Sequence, residues 1–190
     1  MGDRRNPERT RQALLDAALA EFSEKGRSGA RTSSIAARAG VNKQLISHHF
    51  GGKDGLYRAL VARWLDEEAD YDNPELPLAD LAARYAEEGA HHRTLHRLLL
   101  RASLEDEDGT AGVGEGDLAR MRQRQRAGEI VADLDPAFLL LALEAIAAIG
   151  IVFPGDVRRV TGLDPSSEEF AVWQAAQLRI LVECLRARAG

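Results

Sequence analysis

Gly40-Val41-Asn42-Lys43-Gln44-Leu45-Ile46-Ser47-His48-His49-Phe50-Gly51-Gly52-Lys53 compresses a turn, a short helix and a second turn into one short stretch. Gly40 can take the left-handed conformation that ends a helix, and Asn42 can cap the next one. Residues 40–42 therefore read as the tight turn of a helix-turn-helix. On the helix that follows, Ile46 and Phe50 are four apart and share an inward face, whereas Gln44 and His48 share roughly the opposite one. Leu45 lies about 100° around from Ile46. It either meets a thymine methyl in a major groove or tucks against a neighbouring helix. Gly51-Gly52 ends the short helix, and Lys53-Asp54 opens another with a cation at its N-terminus, an arrangement suited to a phosphate.

Working back toward the N-terminus, Asn6-Pro7-Glu8 reads as a helix start, with a side-chain cap, a first-turn proline and an acid at the positive end of the dipole. Leu15, Ala18, Leu19 and Phe22 form one stripe at i, i+3, i+4 and i+7, and Gly26 is a stop. Thr32 or Ser33 can cap a second helix whose Ile35, Ala36 and Ala39 face the same core. With the 44–50 helix these make a three-helix bundle.

Forward of it, residues 54–72 read as a longer helix with Leu56, Leu60, Val61, Trp64 and Leu65 on its apolar side. Asn73-Pro74 to Pro77 breaks the chain, and helical patterns resume near Leu78 and over 94–104. The acidic, glycine-rich 105–116 segment predicts a flexible connection. Asp117 can cap a helix through Val131, whose Arg120, Arg122, Arg124 and Arg126 form a solvated face. Asp135-Pro136 opens the most apolar stretch, closed by Pro154-Gly155 and carrying Glu144, too short for a membrane span. Ser166-Ser167-Glu168-Glu169 is a capping box that opens the last helix. The last two helices supply more apolar surface than one subunit's core needs. They predict pairing with a second copy through Leu140, Leu143, Ala147, Ile151, Trp173, Leu178, Leu181 and Leu185. The fold class expected is all-α, with domains at 1–53 and 54–190.

The formal net charge is -5 over 190 residues, but it is unevenly placed. Through Trp64 the chain carries 12 Lys+Arg against 6 Asp+Glu; beyond it, 13 against 24. A basic front on an acidic body neutralises phosphates locally and opposes indiscriminate adhesion to polyanions. The single cysteine, Cys184, has no partner within the chain and reads as a packing thiol in a reducing, cytoplasmic setting. The polar N-terminus lacks the apolar core of a signal peptide.

Ala17-Ala18, Phe22, Gly26, Ile35-Ala36-Ala37-Arg38-Ala39-Gly40-Val41, Asn42-Lys43, His49-Phe50 and Gly51-Gly52-Lys53, in this order and spacing, resemble the TetR family of bacterial transcriptional regulators. The resemblance covers about the first third of the chain; the remainder matches in helical outline alone. It implies an all-helical homodimer that binds a palindromic operator and represses, with a small molecule in the body releasing it. It implies DNA contacts at Arg31, Thr32, Asn42, Lys43, Gln44, Leu45, Ser47, His48, His49 and Lys53. Ser47 stands where the family commonly has tyrosine, and Arg31 where threonine or serine is frequent, so the operator sequence does not carry over.

Tyr85, His96, Arg101, Phe138, Glu144 and Trp173 could line an effector pocket or simply be core. Other readings are a metal-responsive regulator through His92 and His96, a ligand-independent DNA-organising protein, and a helical metalloenzyme through the Glu88-x-x-His91 pair. The reading expected is a non-enzyme with no cofactor, no resident metal and no membrane association.

Overall fold

The computed structural model describes residues 7–71, 73–105 and 114–186. Its elements are α1 (Pro7–Gly29), α2 (Thr32–Ala39), α3 (Gln44–Phe50), α4 (Lys53–Tyr71), α5 (Leu78–His91), α6 (Arg93–Glu105), α7 (Glu115–Arg126), α8 (Pro136–Ala147), α9 (Ile149–Val152), α10 (Pro154–Thr161) and α11 (Glu168–Glu183). Among the described residues there is no strand. The chain divides into two compact units, residues 1–68 with 97–111, and residues 69–96 with 112–190.

In the first unit, Leu14, Leu15, Phe22, Ile35, Ile46, Leu56, Leu60 and Trp64 are all buried. Phe22 meets Tyr57 edge-on, with ring centroids 5.5 Å apart, one of the preferred aromatic geometries. Gly26, at φ 70 and ψ 170, interrupts α1 where a stop is expected, and one further helical turn follows it. The α2 start differs from expectation. Neither Thr32 nor Ser33 caps it; Arg31 occupies the N-cap position, and its backbone N–H goes to the carboxylate of Glu21 at 3.4 Å. Gly40 ends α2 in the left-handed conformation at φ 66. Asn42 caps as expected, its Oδ1 accepting the Gln44 N–H at 2.8 Å. On α4, Leu65 is exposed although the apolar stripe includes it.

In the second unit α5 lies along α11. Ala79, Ala82, Ala83 and Ala86 present small side chains, so the helices pack closely on Ala175, Leu178 and Val182, and Leu78, Met121, Ile130 and Leu139 complete the interior. The long apolar run is broken into two pieces, α8 and α9. Asp135 caps α8 by accepting the Ala137 N–H at 2.7 Å, but Pro154, expected as a stop, instead opens α10, since a proline fits the first turn where no N–H is needed. Gly150 is required between them, because a Cβ there would stand 2.7 Å from the Phe170 ring. Buried Gln174 donates to the carbonyls of Ile146 and Ala147 at 2.6 and 3.2 Å, satisfying the end of α8.

α7 starts at Gly114, where Asp117 accepts the Gly114 N–H at 2.7 Å, and it stops at Arg126 rather than near Val131 because Gly128 turns the chain at φ 81. Its arginines are not uniformly solvated. Arg124 is buried, and its guanidinium donates to the carbonyls of Leu76 at 2.8 Å and Pro74 at 3.1 Å and to the Glu129 carboxylate at 3.0 Å. Glu129 in turn accepts the Leu78 N–H at 2.7 Å, capping α5 from a distant part of the chain. The expected cap at Asn6, the residue Asp72 and most of the 105–116 connection lie outside the described residues.

Candidate nucleic-acid interface and regulatory unit

α3 buries Ile46 and exposes Gln44, Ser47 and His48, with Leu45, His49 and Phe50 half-buried. Both readings of Leu45 fit that intermediate position. Lys43, just before α3, and Arg31, just before α2, are exposed, and neither side chain has an acidic partner among the described residues. Most of their basic neighbours are engaged. Arg38 meets Glu24 at 3.1 Å, Arg27 meets Asp54 at 3.2 Å, Arg63 meets Asp16 at 3.1 Å, and Lys25 meets Glu21 at 2.7 Å. The Lys25 ammonium, hydrogen-bonded to Glu21, holds that buried carboxyl below the usual carboxylate range. The Arg11 guanidinium lies 5.5 Å from the centroid of the Phe50 ring and steadies the end of α3 by a cation–π contact. The exposed edge is thus polar, hydrogen-bonding and locally cationic, which is the chemistry that base edges and phosphates require. Asn42 is exposed, and its Oδ1 is already used by the cap; Thr32 is half-buried.

The second unit carries an apolar face of its own. On α8, Phe138 and Leu141 are exposed; on α11, Val172, Trp173, Ile180 and Leu181 are. Val152 and Phe153 lie exposed at the end of α9. Large apolar groups exposed on two helices of one unit are candidates for an interaction surface. The expected dimer residues divide on it. Trp173 and Leu181 are outward, Ala147 and Ile151 are half-buried, and Leu140, Leu143 and Leu185 pack partly against the unit's own core. Leu178 has to be withdrawn: at 2% exposure it fills the interior against α5. Phe138, Leu141, Val172 and Ile180 are exposed on the same two helices and were not among the expected dimer residues. The Trp173–Ile180 spacing of seven was the available signal, since it keeps both on one helix face.

Residues 14–60 match the family described as bacterial regulatory proteins, tetR family. The HTH-type transcriptional repressor SCO4008 of Streptomyces coelicolor is 31% identical over 168 residues, 83% of this chain and 86% of that relative. The chain belongs to the TetR family. It is a DNA-binding transcriptional regulator. The HTH-type transcriptional regulator BetI 2 of Chromohalobacter salexigens is 43% identical, but over 60 residues, 29% of its length. Among solved structures, SCO4942 from Streptomyces coelicolor superposes with a TM-score of 0.76 at 27% identity, covering 95% of this chain and 99% of that one. A gamma-butyrolactone receptor (ArpA-like protein) shares the fold, with a TM-score of 0.63 at 20% identity over 93% of this chain and 100% of the receptor. The relatives of this TetR-family chain are regulators, not enzymes.

The effector residues expected for such a regulator fall in different surroundings. Arg101 is exposed and belongs to the first compact unit, the other five to the second. Phe138 and Trp173 are outward, Glu144 is exposed, and Tyr85 and His96 are half-buried. A cavity of about 10 Å³ lies beside α5, lined by Pro77, Leu78, Ala79, Glu129, Val182, Glu183 and Arg186, and by none of the six. It holds at most about one water. Burial, and next the nearby His92, push the His96 imidazole down to about 4, so it is neutral at neutral pH. Partial desolvation, and next the charge of Asp117, push the Glu144 carboxyl up, although much of the residue still meets solvent. Glu88 lies 3.9 Å from His91 and 4.0 Å from His92, polar contacts at the end of α5. Among the described residues no three His, Cys, Asp or Glu side chains converge as a metal site, and no helix is long and apolar enough to cross a membrane. Cys184, expected to pack inward, is exposed just past the end of α11.

Proposed function

We propose that the protein is a homodimeric repressor working in the cytoplasm, whose two α3 helices enter successive major grooves of a palindromic operator. The observation that carries this reading is the pairing of two unsatisfied surfaces in one chain: the polar α3 edge flanked by Lys43 and Arg31, and the apolar face of α8 and α11. The first suits a polyanion, and the second suits a copy of itself, as a four-helix interface whose two-fold axis fixes the separation of the heads. The repressor name of SCO4008 supports the direction of control. Lys43, Arg31 and Ser47 contact phosphates; Gln44 and His48 read bases. Leu45 meets a thymine methyl, with Thr32, Asn42 and His49 at the margin.

A small molecule releases the operator by binding better to a body conformation in which the heads are wrongly spaced, its leverage being its differential affinity for the two states. A receptor for a small molecule on the same fold supports this. The effector enters by remodelling the packing around Tyr85 and His96, bringing Phe138, Glu144 and Trp173 toward it.

Footprinting on DNA flanking the coding region, with sedimentation of the protein alone and with duplex, tests the whole reading. Protection of two half-sites about one helical turn apart is expected. Protection of a single half-site by a monomer overturns it. Lys43→Ala is expected to weaken binding to every duplex and to reduce the slope of log affinity against log salt by about 0.9. Gln44→Ala is expected to cost about 1–3 kcal/mol of discrimination at particular base pairs while leaving that slope alone. Quantitative binding across a salt series on matched and mismatched duplexes separates the two.

Ile180→Glu adds a charge to the apolar face without entering the core, since Ile180 is 58% exposed. Sedimentation should show a folded monomer that no longer protects the paired half-sites. A dimer of undiminished affinity would show that the subunits meet elsewhere.

A further inference from the structure

The connection from α1 to α2 is gripped from two sides. Gly26 turns the chain, and the Ala30 N–H returns to the Gly26 carbonyl at 3.1 Å. From the first turn of α4, the Lys53 ammonium donates to the carbonyls of Ser28 and Ala30, each at 3.3 Å. Beside it, Asp54 holds Arg27, whose guanidinium also lies 5.1 Å from the Tyr57 ring centroid. From α1, the buried Glu21 accepts the Arg31 N–H at 3.4 Å through the same Oε1 that accepts Lys25 at 2.7 Å. Its other oxygen lies 3.8 Å from Arg38 Nη2. These bonds to the connection are long, but they converge on six residues, Gly26 to Arg31, and they use the backbone groups that lead up to the Arg31 Cα. The Arg31 side chain is left exposed and without an acidic partner among the described residues.

The position of Lys53 in sequence makes it a phosphate contact in its own right. Its surroundings assign the ammonium differently. Of three donors on a lysine, two have protein acceptors here, and both acceptors lie in the segment that delivers Arg31. We propose that Lys53 is a positioning residue that acts on DNA through Arg31, by clamping the Ser28 and Ala30 carbonyls opposite the Glu21 carboxylate. The inference rests on the reading of Arg31 as a phosphate contact.

The test is a double-mutant cycle on salt dependence. The probe is a duplex recovered by selection from a randomised library with the wild-type protein. Its affinity is measured across a salt series for wild type, Arg31→Ala, Lys53→Met and the double variant, with thermal unfolding recorded for each. Arg31→Ala should lower the slope by about 0.9. Lys53→Met should lower it by no more than that, and the double variant should match Arg31→Ala alone, because without the arginine there is nothing left to aim. Lys53→Arg, which can still donate to two carbonyls, should restore binding. A double variant whose slope falls by about 1.8 would mean that each side chain neutralises its own phosphate, and the inference would fail while the Arg31 reading stood. An Arg31→Ala protein with unchanged slope would overturn both. Should Lys53→Met not fold, Lys53→Gln replaces it in the cycle, and the same equality with Arg31→Ala decides the outcome.

Discussion

Phe22→Ala is expected to destabilise the DNA-binding unit by about 3–5 kcal/mol and to abolish operator binding without altering any residue that faces DNA. Phe22 has no exposed surface, and it meets Tyr57 edge-on from the α4 side while sharing the interior with Leu15, Ile35 and Ile46. Truncation removes the burial of a whole ring and leaves a cavity that helices as short as α2 and α3 cannot fill by shifting without moving the recognition edge. A domain of ordinary stability has about 5–15 kcal/mol in hand, so a large part of it goes. Buried Trp64 lies in the same unit and Trp173, 40% exposed, in the other, so urea unfolding followed by tryptophan emission can locate the loss in the first transition. Phe22→Leu, which keeps most of the apolar volume, should recover most of the stability. A Phe22→Ala protein that melted and bound like wild type would mean that the core of this unit lies elsewhere.

Arg124→Ala is the second large effect, expected at about 3 kcal/mol in the other unit. Breaking a buried pair by removing one partner ordinarily costs about 3–5 kcal/mol because the remaining charge is stranded. The Glu129 side chain keeps 26% of its surface in contact with water, which favours the lower end. The substitution also strips the carbonyls of Pro74 and Leu76 of their donor, so the turn ahead of α5 loses its anchor. The diagnostic comparison is with charge removed on both sides. Arg124→Met with Glu129→Met should be less destabilised than Arg124→Met alone, since no carboxylate is then left without a counter-charge. Equal or greater loss in the double variant, measured by thermal and urea unfolding, would refute the stranded-charge account.

What could be read from the sequence is what local chemistry decides. Gly40, Asn42 and the Gly51-Gly52 pair act within a few residues of themselves, so the turns on both sides of α3, and with them the exposure of Gln44, Ser47 and His48, followed from neighbours in the chain. Asp135 and Ser167 announced α8 and α11 for the same reason. Several misreadings turn on partners remote in sequence. Arg124 sits in an arginine row that looks solvated, and it is buried because Pro74 and Leu76, about fifty residues earlier, curl over it. Leu178 and Leu181 are equivalent as letters; the alanines of α5 decide which of them is interior. The breaks near Gly150 and Pro154 are hidden in a run of apolar residues, because the Phe170 ring that occupies the space above Gly150 belongs to a different helix. The effector residues were the least legible, since a pocket is a property of packing and none of its candidates carries a local signature.

Cys184 gives this chain an experimental handle. It is the sole thiol, it faces solvent, and it stands where the last helix ends, so a spin label attached there goes on once, at a known place, with no substitution needed elsewhere. In a pair of copies related by a two-fold axis, the two labels form a single dipolar ruler across the axis, and its reading before and after an added compound measures how far the subunits have turned.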